Sequence, residues 1–566
     1  MSIDVTVKIG GEAGQGIQTV GQLLSLTAQQ AGFYIMGIND FESRIRGGHS
    51  FFQIRISDTP VAAPHHQVHL LIAMDDRTRS LHQNQVVGNG ITIINDNAAA
   101  GTDNTIAVPF VDLAEEAGGS ITANTVAAGS ALSLLGAPFE MFEAVLKEQF
   151  QDKSQKAVDL NLTAAKRGYE AVHNIGFSYS FDWQDGSGKG MLIDGAQSLA
   201  LGALAGDCRF ASFYPMSPAT SIMINLASFQ DTFPLVVEQA EDEISAANMI
   251  IGASYAGVRS ITSTSGGGFC LMAEALGYAG IAEVPIVIIN AQRPGPATGM
   301  ATRTAQGDLL FTINAAQDDF PLFVFAPGSP AEAFETTARA FELAEKYQAP
   351  AVILVDQYFN DSLYILEKRL SAPDAIQRFI LEHTEIQNPS EYKRYAVTES
   401  GVSPMTLPCA GPALVMTSGN EHSPDGHLSE TVHDRVVMVD KRARKQQHMR
   451  EDMKPPSTFH PEASVLVIGW GSTAGIIKEA VVLLRNDGID AGCVHFCDIW
   501  PFPTHNALQA LGDTAKICTV ELNSTGQFSR LLRQETGRTV SHTILKYDGR
   551  PIYPIEIVNN IKKIME

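Results

Sequence analysis

The chain has 566 residues, 45% hydrophobic and 18% charged, with 62 acidic against 40 basic side chains and a net charge of −22. That length exceeds what one hydrophobic core holds and predicts three or four domains, while the composition excludes long disorder, collagen and coiled coil. A negative surface repels a phosphate backbone, so nucleic acid is not an expected partner. No apolar run approaches the roughly 18 residues of a membrane span, and no basic-then-apolar leader opens the sequence, so a cytoplasmic location without membrane contact is expected. The six cysteines, Cys208, Cys270, Cys409, Cys493, Cys497 and Cys518, form no C-x-x-C pair. A disulfide framework is excluded, and an iron-sulfur cluster held by this chain alone is not expected.

The first segment, 1–185, opens as α/β. Residues 4–9 alternate as a strand, glycines follow at 10, 11, 14 and 16, and a helical apolar pattern runs through Leu23, Leu24 and Leu26. Further strands are predicted over 50–56, 70–74, 91–94 and 105–108, and a helical stretch over 124–170. The glycine spacing matches neither a dinucleotide fingerprint nor a P-loop, and Asp40 lies at no evident strand end. The loop reads either as a tight packing turn or as a cradle for a phosphate-bearing group. Between Glu42 and His49, Arg44 and Arg46 stand beside Gly47 and Gly48. That arrangement suits an anionic ligand and equally an inter-domain ion pair. Gly186, Ser187, Gly188, Lys189 and Gly190 read as a linker.

The second segment, 191–395, is a βα repeat. A helix over 195–206 precedes strands over 210–214, 235–237, 259–262, 285–290, 321–325 and 351–356, which predicts a mainly parallel sheet with helices on both faces. Tyr214, Pro215, Met216, Ser217 and Pro218 make a sharp turn with Ser217 as the predicted helix cap, or else as a hydroxyl facing a cleft at the carboxyl end of the sheet. Glu238, Glu241, Asp242 and Glu243 crowd the start of a helix that then turns small and apolar. A carboxylate on that apolar edge can be buried, and can then hold or trade a proton. Ser265 and glycines 266–268 end a polar strand and can present hydroxyls and N–H groups. Arg293 and Arg303 flank a Pro/Gly loop; two arginines suit a diacid, and equally suit a braced loop. The interval 372–461 is rich in Pro, His and charge with weak periodicity, and 396–460 is assigned to a bridging segment. Glu421, His422 and His427 are ligand types without a metal-site spacing, so no metal is expected on this chain. A small α/β domain, 461–566, closes the sequence.

With these motifs in this order, the chain resembles the 2-oxoacid:ferredoxin oxidoreductases in their fused form, with a gamma-like domain ahead of the alpha portion, and within them the 2-oxoglutarate enzymes. The resemblance rests on 10–16, Arg46, Gly47 and Gly48, and on 214–220, 239–252, 262–269, 290–308, 419–426 and 469–472. It implies a multidomain α/β fold: a gamma-type domain, a doubly wound pyrimidine-binding domain of a thiamine diphosphate site, and a transketolase C-terminal-like domain. It implies thiamine diphosphate and coenzyme A. Mg²⁺ and a [4Fe-4S] cluster belong to a beta subunit, ferredoxin is the electron acceptor, and the assembly is (alpha-beta)2. Glu243 matches the glutamate that protonates the aminopyrimidine. Tyr214, Pro215 and Ser265 fall on the cofactor side. Ser217 replaces a family threonine at the substrate carboxylate, Arg293 matches the arginine beside the reacting carboxylate, and Arg303 is the candidate for a distal carboxylate or for ordering the loop. The usual Gly-Asp-Gly thiamine signature is missing, so the chain is expected to be half a site and inert alone. The alternatives are a pyruvate, branched-chain or indolepyruvate enzyme, a non-catalytic scaffold subunit, and a nucleotide dehydrogenase, the last disfavoured by the glycine spacing.

Overall fold

The computed structural model describes residues 3–43, 47–97, 104–173, 175, 179, 181–184, 188, 190–514 and 516–565. Arg44 and Arg46 of the predicted anion loop, and Gly186, Ser187 and Lys189 of the predicted linker, lie outside them. The chain divides into two compact units. One comprises Met1–Ile193, Ser362–Arg369 and Tyr553–Ile555, and the other holds the rest.

The first unit is built on a mixed eight-stranded sheet. Its strands run in the order Thr105–Ala107, Val86–Ile94, Val68–Ala73, Asp4–Glu12, His49–Ser57, Tyr34–Phe41, Leu363–Leu366, Met191–Asp194. The first strand continues through Gly10 and Gly11 to Glu12, so the turn starts later than the glycines imply. Tyr34–Phe41 is a strand that the sequence does not announce, and Asp40 sits inside it. Its mid-strand Gly37 is what hides it. A Cβ there would lie 3.0 Å from the Phe52 ring and 3.2 Å from Leu363 Cβ, so close strand packing demands the residue that weakens a strand pattern. The helical stretch predicted over 124–170 is three helices, Ala123–Leu134, Phe139–Gln149 and Gln155–His173. Gly136, at φ +75°, and Pro138 part the first two.

The second unit carries two sheets. The larger has seven strands in the order Asp498–Trp500, Phe323–Phe325, Ala351–Asp356, Val287–Gln292, Ser260–Thr264, Phe210–Phe213, Val236–Gln239. All its pairings are parallel except the edge pair made by Asp498–Trp500. The smaller has five strands around Val465–Trp470. One apolar cluster runs through both, joining Ile250, Ile288 and Val324 to Leu466, Trp470 and Phe496. Mixed α/β architecture with parallel-rich sheets is therefore as the βα repeat predicts.

The 372–461 interval is irregular up to Val432–Glu451, a 20-residue helix. Its buried positions are Met438, Lys441, Arg442, Lys445 and Met449. They recur at helical spacing, but cations occupy the core face, so hydrophobic periodicity cannot register it. Both lysines reach Glu283, which is fully buried: Lys441 Nζ at 2.6 Å, and Lys445 in direct ion-pair contact. Burial alone would raise the Glu283 carboxyl, but the two lysines and Arg394 outweigh it and hold it well below the usual range. Burial pulls Lys445 down to about 7 against the pull of Glu283.

Candidate active site

Six strands of the larger sheet end on the same side, and parallel α/β sheets bind ligands at that carboxyl edge. Val236–Gln239 leads to the helix Glu243–Tyr255, in which Asp242 is the cap, accepting from Ser245 N at 2.7 Å. The four clustered acids separate cleanly. Glu238, Glu241 and Asp242 are exposed, whereas Glu243 is 3% exposed and its Oε1 has no protein partner. A helix whose next turns are Ala246, Ala247 and Ile250 draws its first residue into the core side.

Ser260–Thr264 ends at Ser265, which begins the short helix Gly266–Leu271. The glycine run is a cradle between two carboxylates. A Cβ on Gly268 would lie 2.5 Å from Glu243 Oε1 and 2.1 Å from Thr264 Oγ1; one on Gly266 would lie 2.5 Å from Asp308 Oδ2. Over Gly267 the space is open, the nearest atom being the Ala297 carbonyl at 3.9 Å. The hydroxyls of Ser265 and Thr262 and the Asn290 Oδ1 are buried without protein partners. Buried polar atoms are ordinarily paired, so this concentration at one sheet edge marks a place built for a polar ligand.

Phe210–Phe213 leads into Tyr214 and Pro215, exposed at the lip, and then to Ser217 and a cis Pro218. The expected Ser217 cap is not formed. The next helix is Thr220–Ser228, capped at Ala219 with no side-chain bond. Ser217 is instead an exposed residue whose carbonyl accepts from Arg293 Nη1 at 2.6 Å. Asn360 Nδ2 donates to the neighbouring Pro218 carbonyl at 3.4 Å, and Asn360 Oδ1 is left over. Arg293 itself is buried, with Nε unpartnered, and burial lowers its pKa against the opposing charge of Asp308. Arg303 is also buried. Its stem packs on Gly549, and Nη1 donates to the Thr302 carbonyl at 3.4 Å.

Glu243, Ser265, Arg293 and Ser217 thus converge on one sheet edge, with Tyr214 and Pro215 at its rim. Sequence reasoning gave no role to Asp308, Asn290 and Asn360. Asn290 carries a signal, since it precedes Gln292 by one strand period in a buried strand. Asn360, four residues beyond a strand end, carries none. Among the described residues no three His, Cys, Asp or Glu side chains gather to hold a metal, and no helix is long and apolar enough to cross a membrane. A planar heterocycle carrying hydrogen-bonding ring nitrogens fits a glycine floor, a lone buried carboxyl and spare hydroxyls, so the site accommodates an aminopyrimidine.

The site belongs to a class of doubly wound α/β proteins that hold an organic cofactor at the carboxyl edge of a parallel sheet. Residues 201–441 match the family model described as pyruvate flavodoxin/ferredoxin oxidoreductase, thiamine diP-bdg. Residues 6–171 match pyruvate ferredoxin/flavodoxin oxidoreductase, and 463–557 match pyruvate:ferredoxin oxidoreductase core domain II. A 2-oxoacid:ferredoxin oxidoreductase subunit alpha from Sulfolobus sp is 32% identical over 99% of this chain and 96% of its own. The 2-oxoglutarate synthase subunit KorA of Methanothermobacter thermautotrophicus is 31% identical over 66% of this chain and 98% of its own. The solved 2-oxoglutarate:ferredoxin oxidoreductase from Magnetococcus marinus, with 2-oxoglutarate, coenzyme A and succinyl-CoA bound, superposes with a TM-score of 0.91 at 28% identity over all of both chains. The chain belongs to the 2-oxoacid:ferredoxin oxidoreductase family, whose thiamine diphosphate-binding domain it carries at 201–441.

Proposed function

We propose that this chain is the alpha subunit of a 2-oxoglutarate:ferredoxin oxidoreductase acting in the cytoplasm. The reaction converts 2-oxoglutarate and coenzyme A to succinyl-CoA and CO₂ and passes two electrons, one at a time, to two ferredoxins. A beta subunit supplies the diphosphate grip, Mg²⁺ and the [4Fe-4S] cluster in an (alpha-beta)2 assembly. The observation that carries the substrate assignment is the full-length likeness to the Magnetococcus marinus enzyme, which binds 2-oxoglutarate, coenzyme A and succinyl-CoA. Within this reading 1–185 is the gamma-type domain, 191–395 the pyrimidine-binding domain, 396–460 the bridge and 461–566 the C-terminal domain.

Thiamine diphosphate, when bound, supplies a carbon nucleophile for the 2-oxo group and an electron sink for loss of CO₂. Glu243 holds a proton toward the aminopyrimidine ring nitrogen. Its lack of a protein partner leaves the carboxyl available for that bond. The glycine floor at 266–268 and the Ser265 hydroxyl orient the ring, with Tyr214 and Pro215 closing its edge. Arg293 and the Ser217 hydroxyl receive the reacting carboxylate, and Arg303 answers the distal one. An arginine in a dry site binds a carboxylate far more strongly than one in water.

A second reading, the same reaction on pyruvate or a branched-chain 2-oxoacid, is favoured by the pyruvate names of the matching family models. One experiment separates the two: co-purify the chain with its beta subunit and measure coenzyme A-dependent dye reduction with 2-oxoglutarate, pyruvate and 2-oxoisovalerate. The first reading expects the largest kcat/KM for 2-oxoglutarate, and preference for another acid overturns it.

A further inference from the structure

Asp308 stands at the end of the loop that starts at Arg293, immediately before the helix Leu309–Ile313. An aspartate there would ordinarily cap the helix, yet its side chain makes no cap bond. The carboxylate turns the other way. Asn290 Nδ2 donates to its Oδ2 at 3.2 Å, and its backbone N–H is fixed on Gln292 Oε1 at 3.0 Å. The same oxygen lies against the first glycine of the cradle. The loop cannot drift, because the preceding residues are stitched to the C-terminal domain. Gln306 Nε2 donates to the Trp470 carbonyl at 2.8 Å, Leu522 N donates to Gln306 Oε1 at 3.0 Å, and Gln527 Nε2 donates to the Gly307 carbonyl at 2.7 Å. A half-buried carboxylate is thereby held at the end of the strand that Arg293 leaves, where the two charges act on each other without an ion-pair contact, while the guanidinium donates to the Ser217 carbonyl.

We propose that Asp308 is a positioning residue that balances the buried charge of Arg293 until an anionic substrate takes its place, and so sets both the affinity for the 2-oxoacid carboxylate and its alignment. The inference rests on the reading of Arg293 as the group that meets that carboxylate. The charged and titratable groups acting on Asp308 and Arg293 are each other and Cys270, with Glu243 at the far end of the glycine run. Burial raises the Asp308 carboxyl above its ordinary value, while Asn290 and Arg293 pull it back down. Its ionisation opposes the substrate's negative charge. Protonation relieves that opposition, so affinity rises as pH falls.

The test uses the alpha–beta complex stripped of thiamine diphosphate, so that 2-oxoglutarate binds without turning over. Its Kd is measured by calorimetry between about pH 5 and about pH 8. The wild type is expected to bind more tightly toward low pH. Asp308→Asn binds roughly tenfold more tightly at neutral pH and loses the pH dependence. With cofactor restored, that variant lowers KM but also lowers kcat, since a carboxylate held by an unbalanced arginine is held in the wrong place. Asn290→Ser removes the donor that favours the ionised form and moves the same pH limb upward, which keeps the question open to test if Asp308→Asn fails to assemble. A Kd and pH limb unchanged in Asp308→Asn, or unmoved in Asn290→Ser, overturns the inference. A wild-type complex that binds a different 2-oxoacid instead overturns only the substrate assignment, because every 2-oxoacid carries the carboxylate at issue and the series is run on that acid.

Discussion

Arg293 Nη1 donates to the carbonyl of Ser217 at 2.6 Å, tying the end of the Val287–Gln292 strand to the turn that follows Phe210–Phe213. One nitrogen of the guanidinium is therefore spent on architecture, and Nε faces no protein acceptor. The residue proposed to meet the ligand is also the residue that fixes the turn carrying Ser217. Substituting it disturbs both, which is why the sharper tests lie elsewhere.

Glu243→Gln puts a neutral amide of the same shape in place of the carboxyl proposed to face the aminopyrimidine. Turnover of the alpha–beta complex is expected to fall at least about 100-fold with assembly intact. Deuterium exchange at C2 of the bound cofactor should slow in parallel. Unchanged exchange would assign the proton-holding role to another carboxylate.

Arg303→Met tests the distal carboxylate. If Arg303 answers it, KM for 2-oxoglutarate rises strongly while pyruvate, where used, changes little, because an unpaired buried carboxylate costs several kcal/mol. Its packing on Gly549 offers the competing outcome. Equal losses of kcat/KM on both acids would mean that Arg303 braces the loop.

The first unit should weaken in acid through the pair His49 and His82. Their Nε2 atoms are 2.8 Å apart, so one must be unprotonated to accept. Burial, then Lys8 and His49, lowers His82 from 6.5 to about 3, and burial also lowers His49. Between those two values the unfolded chain binds a proton that the folded chain refuses. Stability is complete above about 6.5 and declines toward about 3, at up to about 1.4 kcal/mol per pH unit. Unfolding midpoints followed against pH check this, and His82→Gln should flatten the decline.

Glu283 and its two lysines separate two kinds of substitution. Glu283→Gln leaves two buried ammonium groups without their counter-charge and should cost about 3–5 kcal/mol in chemical unfolding. Lys445→Met removes the surplus cation and should be neutral or stabilising. A Lys445→Met loss as large as that of Glu283→Gln would show that both lysines are needed as charges.

The βα repeat of the second segment was legible because parallel strands buried on both faces read as apolar runs, as in 351–356. The buried glutamate was legible as one of four, and the resemblance chose among them. The choice needed tertiary context, since Asp242 and Glu243 differ only in which side of one helix turn they occupy. The helix Val432–Glu451 was hidden because its core face is cationic, and its partner Glu283 lies over 150 residues away in the chain. The Ser217 cap failed for a local reason. The helix starts two residues later than its Pro218 implies, and the turn is held by side chains from two other strand ends.

The eight-stranded sheet takes its two final strands from Leu363–Leu366 and Met191–Asp194, and the first of these arrives only after the polypeptide has traversed most of the larger sheet. Synthesis therefore delivers about the first 190 residues to the ribosome exit with the Tyr34–Phe41 strand still an open edge, waiting about 320 residues for its neighbour. Cutting the polypeptide near 190 would not release two self-sufficient halves. A polypeptide that ended there would present the Tyr34–Phe41 edge unpaired, open to whatever strand reached it first.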